Sequence, residues 1–171
     1  NHWAGYAAGR ECRQPDRLAG PAGRGRAAVV PGWGLGTAGK PVRILITGWR
    51  AWPASHAGLI WSALDAAVGR AGTPPGVVVV HGKCPYGGAD EHAAVWVQMR
   101  GHAEEPHPAE TGAGGKLLGP ARNTEMVRLG ADLCLGFPGP GSRGTWDCLR
   151  KAVDAGIPTR VYGWHELLKA L

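Results

Sequence analysis

VRILITG, residues 42–48, is the stretch that decides the fold, because a short apolar run ended by a glycine is typical of a buried strand. A second run, VVVVH at residues 77–81, is β-branched through its valines, as expected for a strand covered on both faces. Between the two runs, apolar residues recur at helical spacing from Leu59 to Val68. The sequence therefore predicts a strand–helix–strand unit.

The same alternation continues along the chain. It predicts helices over 89–100, from Pro120 to about Leu129, and around Trp146, Leu149, Ala152 and Val153, with a short final helix over 164–171. It also predicts strands over 103–108, 133–137 and 157–162. Residues 112–119 are predicted to form a Gly-rich loop. Such alternation predicts an α/β fold with a Rossmann-like, mostly parallel, doubly wound sheet of about five strands and helices on both faces. Ligands of such sheets bind beyond the carboxyl ends of the strands.

The opening segment differs in composition from the rest of the chain. Residues 1–40 contain nine Gly and three Pro, and six Lys or Arg against two Asp or Glu. We predict an irregular extension over 1–40 and the α/β domain over 41–171. The arginines of the extension could contact nucleic acid or another polyanion, and the alternative is a solvated, poorly ordered tail.

Composition also restricts the setting of the protein. No run approaches the roughly 18 apolar residues that a membrane span needs, so we predict no membrane association. The four cysteines contain no CxxC pair, which favours a reduced, cytoplasmic setting. A metal site built from His81, Cys84, Cys134 and Cys148 is disfavoured because Cys134 has no short-spaced partner. We predict neither a metal nor a cofactor.

The loop after the fourth strand opens directly into a helix and carries the most informative motif, Gly141-Ser142-Arg143-Gly144-Thr145. Glycines let backbone amides approach an anion, and a helix start offers unpaired N–H donors with a partial positive charge. We expect amides around Ser142 to converge on a phosphate, with Arg143 adding a charge. The alternative is a Gly-rich turn in which a hydroxyl caps the helix.

Two further loops follow strands. Thr47-Gly48-Trp49-Arg50 lacks the full G-x-G-x-x-G spacing of a dinucleotide site, but Arg50 could clamp a phosphate. Trp49 or Trp52 could stack on a base, and the alternative is that both pack in the core. After the second strand, Asp90 could cap a helix or accept hydrogen bonds from a ribose, and His81 could move protons.

Four stretches together resemble a known family: ILITGWRAW (44–52), VVHGKCPYGGADEHAAVW (79–96), GPARNTEMV (119–127) and GSRGT (141–145). The resemblance is to the YspA-type, cpYpsA-related SLOG family, whose distant relatives include the Smf/DprA DNA-processing proteins and the Lonely Guy phosphoribohydrolases. It implies a Rossmann-like fold that binds nucleotides or nucleotide-derived ligands. By position, it implies ligand contacts at Thr47, Gly48, Arg50, His81, Gly82, Gly88, Asp90, Arg122, Asn123, Gly141, Ser142, Arg143, Gly144 and Thr145.

The sequence departs from these relatives at two positions. Trp49 replaces the small residue that usually follows Thr-Gly. The phosphoribohydrolase motif G-G-x-G-T-x-x-E ends in a catalytic glutamate, and that position is Cys148 here. Asp147 comes one residue earlier, which turns it by about 100° around a helix. The resemblance therefore implies the phosphate loop without the catalytic acid.

Three hypotheses follow. The first is a domain that binds or senses a nucleotide-derived small molecule. The second is an enzyme that hydrolyses a nucleotide N-glycosidic bond, with Asp90, Glu125 or Asp147 as acid or nucleophile. The third is a module for single-stranded DNA, helped by the basic extension. Whether the protein is an enzyme, and whether it forms a homo-oligomer, stay open at this point.

Overall fold

The computed structural model describes residues 39–71, 76–115 and 117–163. The predicted irregular extension, up to residue 38, and the predicted helix over 164–171 lie outside these residues. The division of the chain near residue 40 therefore stays a prediction.

Five strands and four α-helices make up the described part of the chain. In chain order they are β1 (Val42–Gly48), α1 (Ala57–Arg70), β2 (Val77–His81), α2 (Ala89–Arg100), β3 (Ala103–Pro106), α3 (Gly119–Arg128), β4 (Leu133–Phe137), α4 (Arg143–Asp154) and β5 (Thr159–Val161). Single turns of 3-10 helix lie at Ala54–His56, just before α1, and at Ala113–Gly115 in the predicted Gly-rich loop.

The strands form one parallel sheet in the order β3-β2-β1-β4-β5. Helices α1 and α2 pack against each other, and so do α3 and α4. Alternate residues of β1 enter different cores: Ile44 and Ile46 pack with α1 and α2, whereas Leu45 packs with α3 and α4. The continuous apolar run of β1 is explained by this burial on both faces. The predicted Rossmann-like α/β fold is confirmed.

Several predicted details differ from the structure, and β3 ends at Pro106 instead of at residue 108. Trp146 and Val153, counted among the apolar residues of α4, are 45 % and 49 % exposed, and the inward face consists instead of Thr145, Cys148, Leu149 and Ala152. The last strand is shorter than predicted and begins at Thr159. Pro158 has no N–H to donate to a strand ladder, which accounts for that boundary.

None of the helices in residues 39–71, 76–115 and 117–163 is long and apolar enough to cross a membrane.

Candidate functional site

The loops that follow β1, β2 and β4 are tied together at the carboxyl edge of the sheet. The Trp49 amide donates to the carbonyl of Phe137 at 2.8 Å, which joins the first loop to the end of β4. The Ala89 amide, at the start of α2, donates to the carbonyl of Trp49 at 3.2 Å. The chain reverses its winding direction between β1 and β4, and ligands of doubly wound sheets bind at such a switch point.

Three glycines that were predicted as ligand contacts lie against protein groups. A Cβ on Gly48 would meet the Cβ of Ala89, and a Cβ on Gly82 would meet the guanidinium of Arg122. Gly88 has a φ of +82° and lies against the peptide that joins Trp49 to Arg50. Packing against backbone or Cβ atoms therefore requires a glycine at positions 48 and 88, whereas a Cβ on Gly82 would displace the end of the flexible Arg122 side chain. The role of all three as ligand contacts stays a prediction.

The loop after β4 folds back on itself before α4 begins. The hydroxyl of Ser142 accepts from the Gly139 amide at 2.9 Å, and the Ser142 amide donates to the Gly139 carbonyl at 3.2 Å. Ser142 occupies the N-cap position of α4, yet its side chain makes no capping hydrogen bond to the helix. The alternative in which this hydroxyl caps the helix is therefore wrong.

The first turn of α4 keeps donors available. Neither the Gly144 amide nor the Thr145 amide donates a hydrogen bond to the described part of the chain. The Thr145 residue is only 4 % exposed, and its hydroxyl has no hydrogen-bond partner among the described residues. Because every fully buried side-chain polar atom there has a partner, the residual exposure of Thr145 must include this hydroxyl. Two backbone amides and one hydroxyl are therefore available as hydrogen-bond donors at the N-terminal, positive end of the α4 dipole.

A polar network connects the loop after β2 with the first turns of α3 and α4. Arg122 donates through Nη1 to the carbonyls of Gly82 and His107, the second at 3.1 Å, and through Nε to Oδ1 of Asn123 at 3.1 Å. Asn123 in turn donates to the carbonyl of Gly144 at 3.1 Å and to Oδ2 of Asp147 at 3.0 Å. Residues that lie far apart in the sequence thus meet at one edge of the sheet.

Asp90 lies in the first turn of α2 and is almost completely buried. Its Oδ2 accepts from the Cys84 amide at 3.1 Å. Burial raises the pKa of this carboxyl, against the opposing effects of His81, Arg122 and the amides of Cys84 and Gly82. Desolvation of the charged form is the largest of these effects.

Both ring nitrogens of His81 form hydrogen bonds with protein groups. Its Nδ1 accepts from the Lys83 amide at 3.1 Å, so the neutral ring carries its proton on Nε2, which donates to Glu104 at 3.0 Å. The residue is 1 % exposed. Both ring nitrogens are occupied by protein groups, which leaves little basis for the predicted proton transfer to a ligand.

The thiol at the position of the phosphoribohydrolase glutamate is buried among polar neighbours. Burial raises the pKa of Cys148 to about 11, while a hydrogen bond with Thr47 and the charge of Arg122 oppose the rise. The carboxyls of Asp90 and Asp147 add to the rise. A thiol that keeps its proton at neutral pH cannot replace a carboxylate.

Asp147 has the opposite electrostatic character to Asp90. Burial raises its pKa, but hydrogen bonds from Lys151 at 2.8 Å and from Asn123, with the charges of Lys151 and Arg150, outweigh burial and lower the pKa overall. Asp147 is therefore charged near neutral pH.

The remaining predicted residues lie outside this network. Arg143 and Gly141 are exposed, and Glu125 is exposed with its Oε1 3.9 Å from Nδ1 of His107. Arg50 is also exposed, and its guanidinium carbon lies 5.5 Å from the ring centroid of Tyr86. Sequence reasoning missed Tyr86, although an aromatic residue directly before Gly87-Gly88 was a signal for it.

The two tryptophans of the first loop pack against other parts of the protein. Trp52 is 3 % exposed and packs edge-on against Phe137 in the core. Trp49 lies partly buried with its indole against Gly139, in the loop after β4. For Trp52 the stacking hypothesis is wrong, and Trp49 closes part of the crevice between the two loops.

Two cavities lie at opposite ends of the sheet. The larger, about 730 Å³, lies between the C-terminal ends of α3 and α4. The negative ends of the two helix dipoles face this cavity, and Arg128, Lys151 and Asp154 are among its lining residues. The smaller, about 280 Å³, lies at the carboxyl edge beside the loop after β2, where Asp90, Glu91 and Glu104 are among its lining residues. Its acidic lining favours hydroxyl or amino groups of a ligand.

No group of three or more His, Cys, Asp or Glu side chains is placed to hold a metal ion within the described residues.

Comparison with known proteins agrees with the fold. A model of the YspA, cpYpsA-related SLOG family matches residues 42–114. The chain is also 43 % identical over 126 residues to the "Gene 61 protein" of Mycobacterium phage D29, a match that covers 71 % of this chain and 96 % of that protein. The chain belongs to the YspA, cpYpsA-related SLOG family. No solved structure matches it.

Membership of the SLOG family points to a nucleotide-related function, and the name of the phage relative specifies no activity. The family model covers the SLOG loops after β1 and β2 and ends before α3. The assignment of Arg122, Asn123 and the start of α4 to the site therefore depends on the geometry described above.

Proposed function

We propose that the protein binds a nucleotide-derived ligand at the carboxyl edge of its sheet, with a phosphate at the first turn of α4. The observation that carries the proposal is the Thr145 side chain, buried to 96 % and with a hydroxyl that makes no hydrogen bond to the described residues. The amides of Gly144 and Thr145 have no acceptor there either. Together these donors match the lone pairs of a phosphate.

The surroundings support the same placement. Arg143 is exposed in this turn, so its charge can reach a phosphate from the solvent side. Arg122, the neighbour of Asp90 and Cys148, makes no hydrogen bond through Nη2 to the part of the chain described. The small cavity with Asp90 lies on the β2 side of this arginine, where a sugar hydroxyl could meet the carboxyl.

Calorimetry with AMP, ADP, ADP-ribose, NAD and pyrophosphate tests the proposal. Thr145→Val removes the hydroxyl at nearly constant volume, and we expect roughly 10- to 100-fold weaker binding, the effect of losing a hydrogen bond to a charged group. Arg143→Ala should weaken binding in the same direction. Arg128→Ala removes the same charge at the C-terminal end of α3 and is the matched control. No heat with any ligand, or equal binding by Thr145→Val and wild type, would count against the site.

A second candidate function, hydrolysis of a nucleotide N-glycosidic bond, is favoured by one observation. Asp90 and Asp147 both raise the pKa of the same thiol, and their environments move their own pKa values in opposite directions. Such a pair can divide the roles of acid and charged stabiliser between its members. Glu125, the third candidate acid, is exposed, with its Oε1 3.9 Å from Nδ1 of His107.

Chromatography of AMP and NAD after incubation with the protein decides this second candidate. Release of free base that Asp90→Asn and Asp147→Asn both abolish would support hydrolysis. If no free base forms at high protein concentration, the hydrolase hypothesis is wrong while ligand binding stands.

The proposed contact between nucleic acid and the basic extension concerns residues outside the described part of the chain. A gel shift at low salt, compared between the full chain and a chain without residues 1–40, tests it because phosphate contacts weaken steeply with salt. Equal shifts by the two chains would remove the extension from the contact.

A further inference from the structure

The loop after β2 presents an aromatic ring that the fold does not use. The Gly87 amide donates to the Cys84 carbonyl at 3.2 Å and closes a turn with Pro85 and Tyr86 at its tip. Tyr86 is 64 % exposed and is absent from both hydrophobic cores. Because the ring does not pack in either core, it can contact a ligand without loss of core packing.

This ring is held in place by the neighbouring loop. The Arg50 guanidinium carbon lies 5.5 Å from the centroid of the Tyr86 ring, within the range of a cation–π contact. The two loops cannot drift apart, because Gly88 packs against the Trp49–Arg50 peptide and the Ala89 amide bonds the Trp49 carbonyl. With the guanidinium on one face, the exposed area belongs to the opposite face and the ring edge.

The ring is carried by the turn that borders the small acidic cavity. Its chain neighbours Pro85 and Gly87 line that cavity together with Asp90. β2 and β4 are separated by β1 alone, so their carboxyl ends lie about 10 Å apart. A nucleotide can span that separation with its phosphate at α4 and its sugar at the cavity. Its base would then reach the turn that carries Tyr86.

We propose that Tyr86, backed by Arg50, is the stacking platform for the base of the ligand. The inference rests on the proposed function and adds that the ligand is recognised by its base as well as its phosphate. An aromatic platform with a neighbouring arginine accepts any base, because every base has a π-face. The platform therefore selects nucleotides over sugar phosphates and discriminates weakly among bases.

Calorimetry with AMP, GMP, CMP, UMP and ribose 5-phosphate tests the inference on the full chain. Wild type should bind the four nucleotides more tightly than ribose 5-phosphate. Tyr86→Ala should weaken nucleotide binding by roughly 5- to 100-fold, as for other stacking side chains, and leave ribose 5-phosphate unchanged. Tyr86→Phe should keep the wild-type preference. Met99→Ala removes a side chain of nearly equal exposure on α2 and is the control.

The possible outcomes distinguish the stacking inference from the proposed phosphate-binding function on which it rests. Equal affinity of wild type for nucleotides and ribose 5-phosphate would overturn the platform and keep the phosphate site. A nucleotide preference that survives Tyr86→Ala would also overturn it and place the base elsewhere. If neither the nucleotides nor ribose 5-phosphate bind, both the proposed function and the stacking inference are wrong. As a second readout, photolabelling with 8-azido-AMP should mark the peptide that contains Tyr86.

Discussion

The side-chain amide of Asn123 donates to the carboxylate of Asp147 at 3.0 Å, and this contact joins the first turn of α3 to the first turn of α4. Asn123 is 3 % exposed, and its second donor bond goes to the Gly144 carbonyl. The amide thus fixes the position of the α4 N-terminus, where we place the phosphate. It also holds Asp147 in its charged form.

Replacing Asn123 should destabilise the protein. Asn123→Ala leaves the Gly144 carbonyl and one Asp147 oxygen without this donor, and we expect a loss of about 1–3 kcal/mol in the free energy of unfolding. Asn123→Asp should cost more near neutral pH, because it places a second carboxylate beside Asp147. Urea denaturation measures both. Thr124→Ala, which removes only an exposed bond to the Pro120 carbonyl, is the control, and an equal loss there would contradict the prediction.

Two glycines should respond to alanine with opposite signs. Gly88 combines a φ of +82° with close approach to the Trp49–Arg50 peptide, so Gly88→Ala should cost about 3 kcal/mol or more. Gly69 lies exposed in α1 with nothing within 4 Å of an added Cβ, so Gly69→Ala should stabilise by about 0.5–1 kcal/mol. Thermal and urea unfolding of the two variants should therefore move to opposite sides of wild type. A Gly88→Ala protein as stable as wild type would refute the packing described here.

Stability should fall in acid through Glu105. The hydrogen bonds from Arg43 lower the pKa of Glu105 from 4.5 to about 2, against burial and with help from His107. A carboxyl with a lowered folded pKa stabilises the protein fully above its unfolded pKa, and this stability is lost as pH falls from about 4.5 towards 2. Glu105→Gln should lower stability at pH 7 and flatten that acid slope.

Urea denaturation at several pH values measures this slope. Glu110→Gln removes an exposed carboxyl without a charged partner among the described residues and should leave the slope unchanged. A wild-type slope in the Glu105→Gln variant would show that the Arg43 pair does not form in solution.

The cysteines should differ in reactivity with N-ethylmaleimide. Cys84 is partly exposed, whereas Cys134 and Cys148 are fully buried and burial raises the pKa of both thiols, to about 11 for Cys148. Since the thiolate is the reactive form, native protein should be labelled at Cys84, and at Cys134 and Cys148 only after unfolding, while Cys12 lies outside the described residues. Peptide mapping by mass spectrometry reads each site. Labelling of native Cys148 as fast as Cys84 would mean that the first turns of α3 and α4 open readily.

Sequence patterns predicted the structure best where it depends on residues close together in the chain. The bounds of β2, α2 and β4 match the predicted ranges, because a run of β-branched residues or a helical repeat followed by a turn is set by neighbours along the chain. The inward face of α4 was misjudged at Trp146 because periodicity shows that a helix has an apolar side and leaves open which residues the sheet covers.

The candidate site shows the same limit. The motifs identified Asp90, Arg122, Asn123 and the 141–145 loop as a group, yet nothing local indicated that Arg122 would bond the Gly82 carbonyl 40 residues away. Tyr86 was missed because its exposure depends on where the turn lies relative to both cores. Trp52 was considered for stacking because its burial against Phe137 arises only when β1 and β4 pair.

The sequence alone determined the order of strands and helices, the Rossmann-like fold class and the family, because these follow from apolar periodicity, turn residues and motifs read over short ranges. Only the tertiary structure decided which polar groups meet: Arg122 with the Gly82 carbonyl, Asn123 with Asp147, and Thr145 with no hydrogen-bond partner among the described residues. The physical reason is that a parallel sheet brings distant strand ends to one edge. Side chains are desolvated and paired there by contacts that no spacing along the chain encodes.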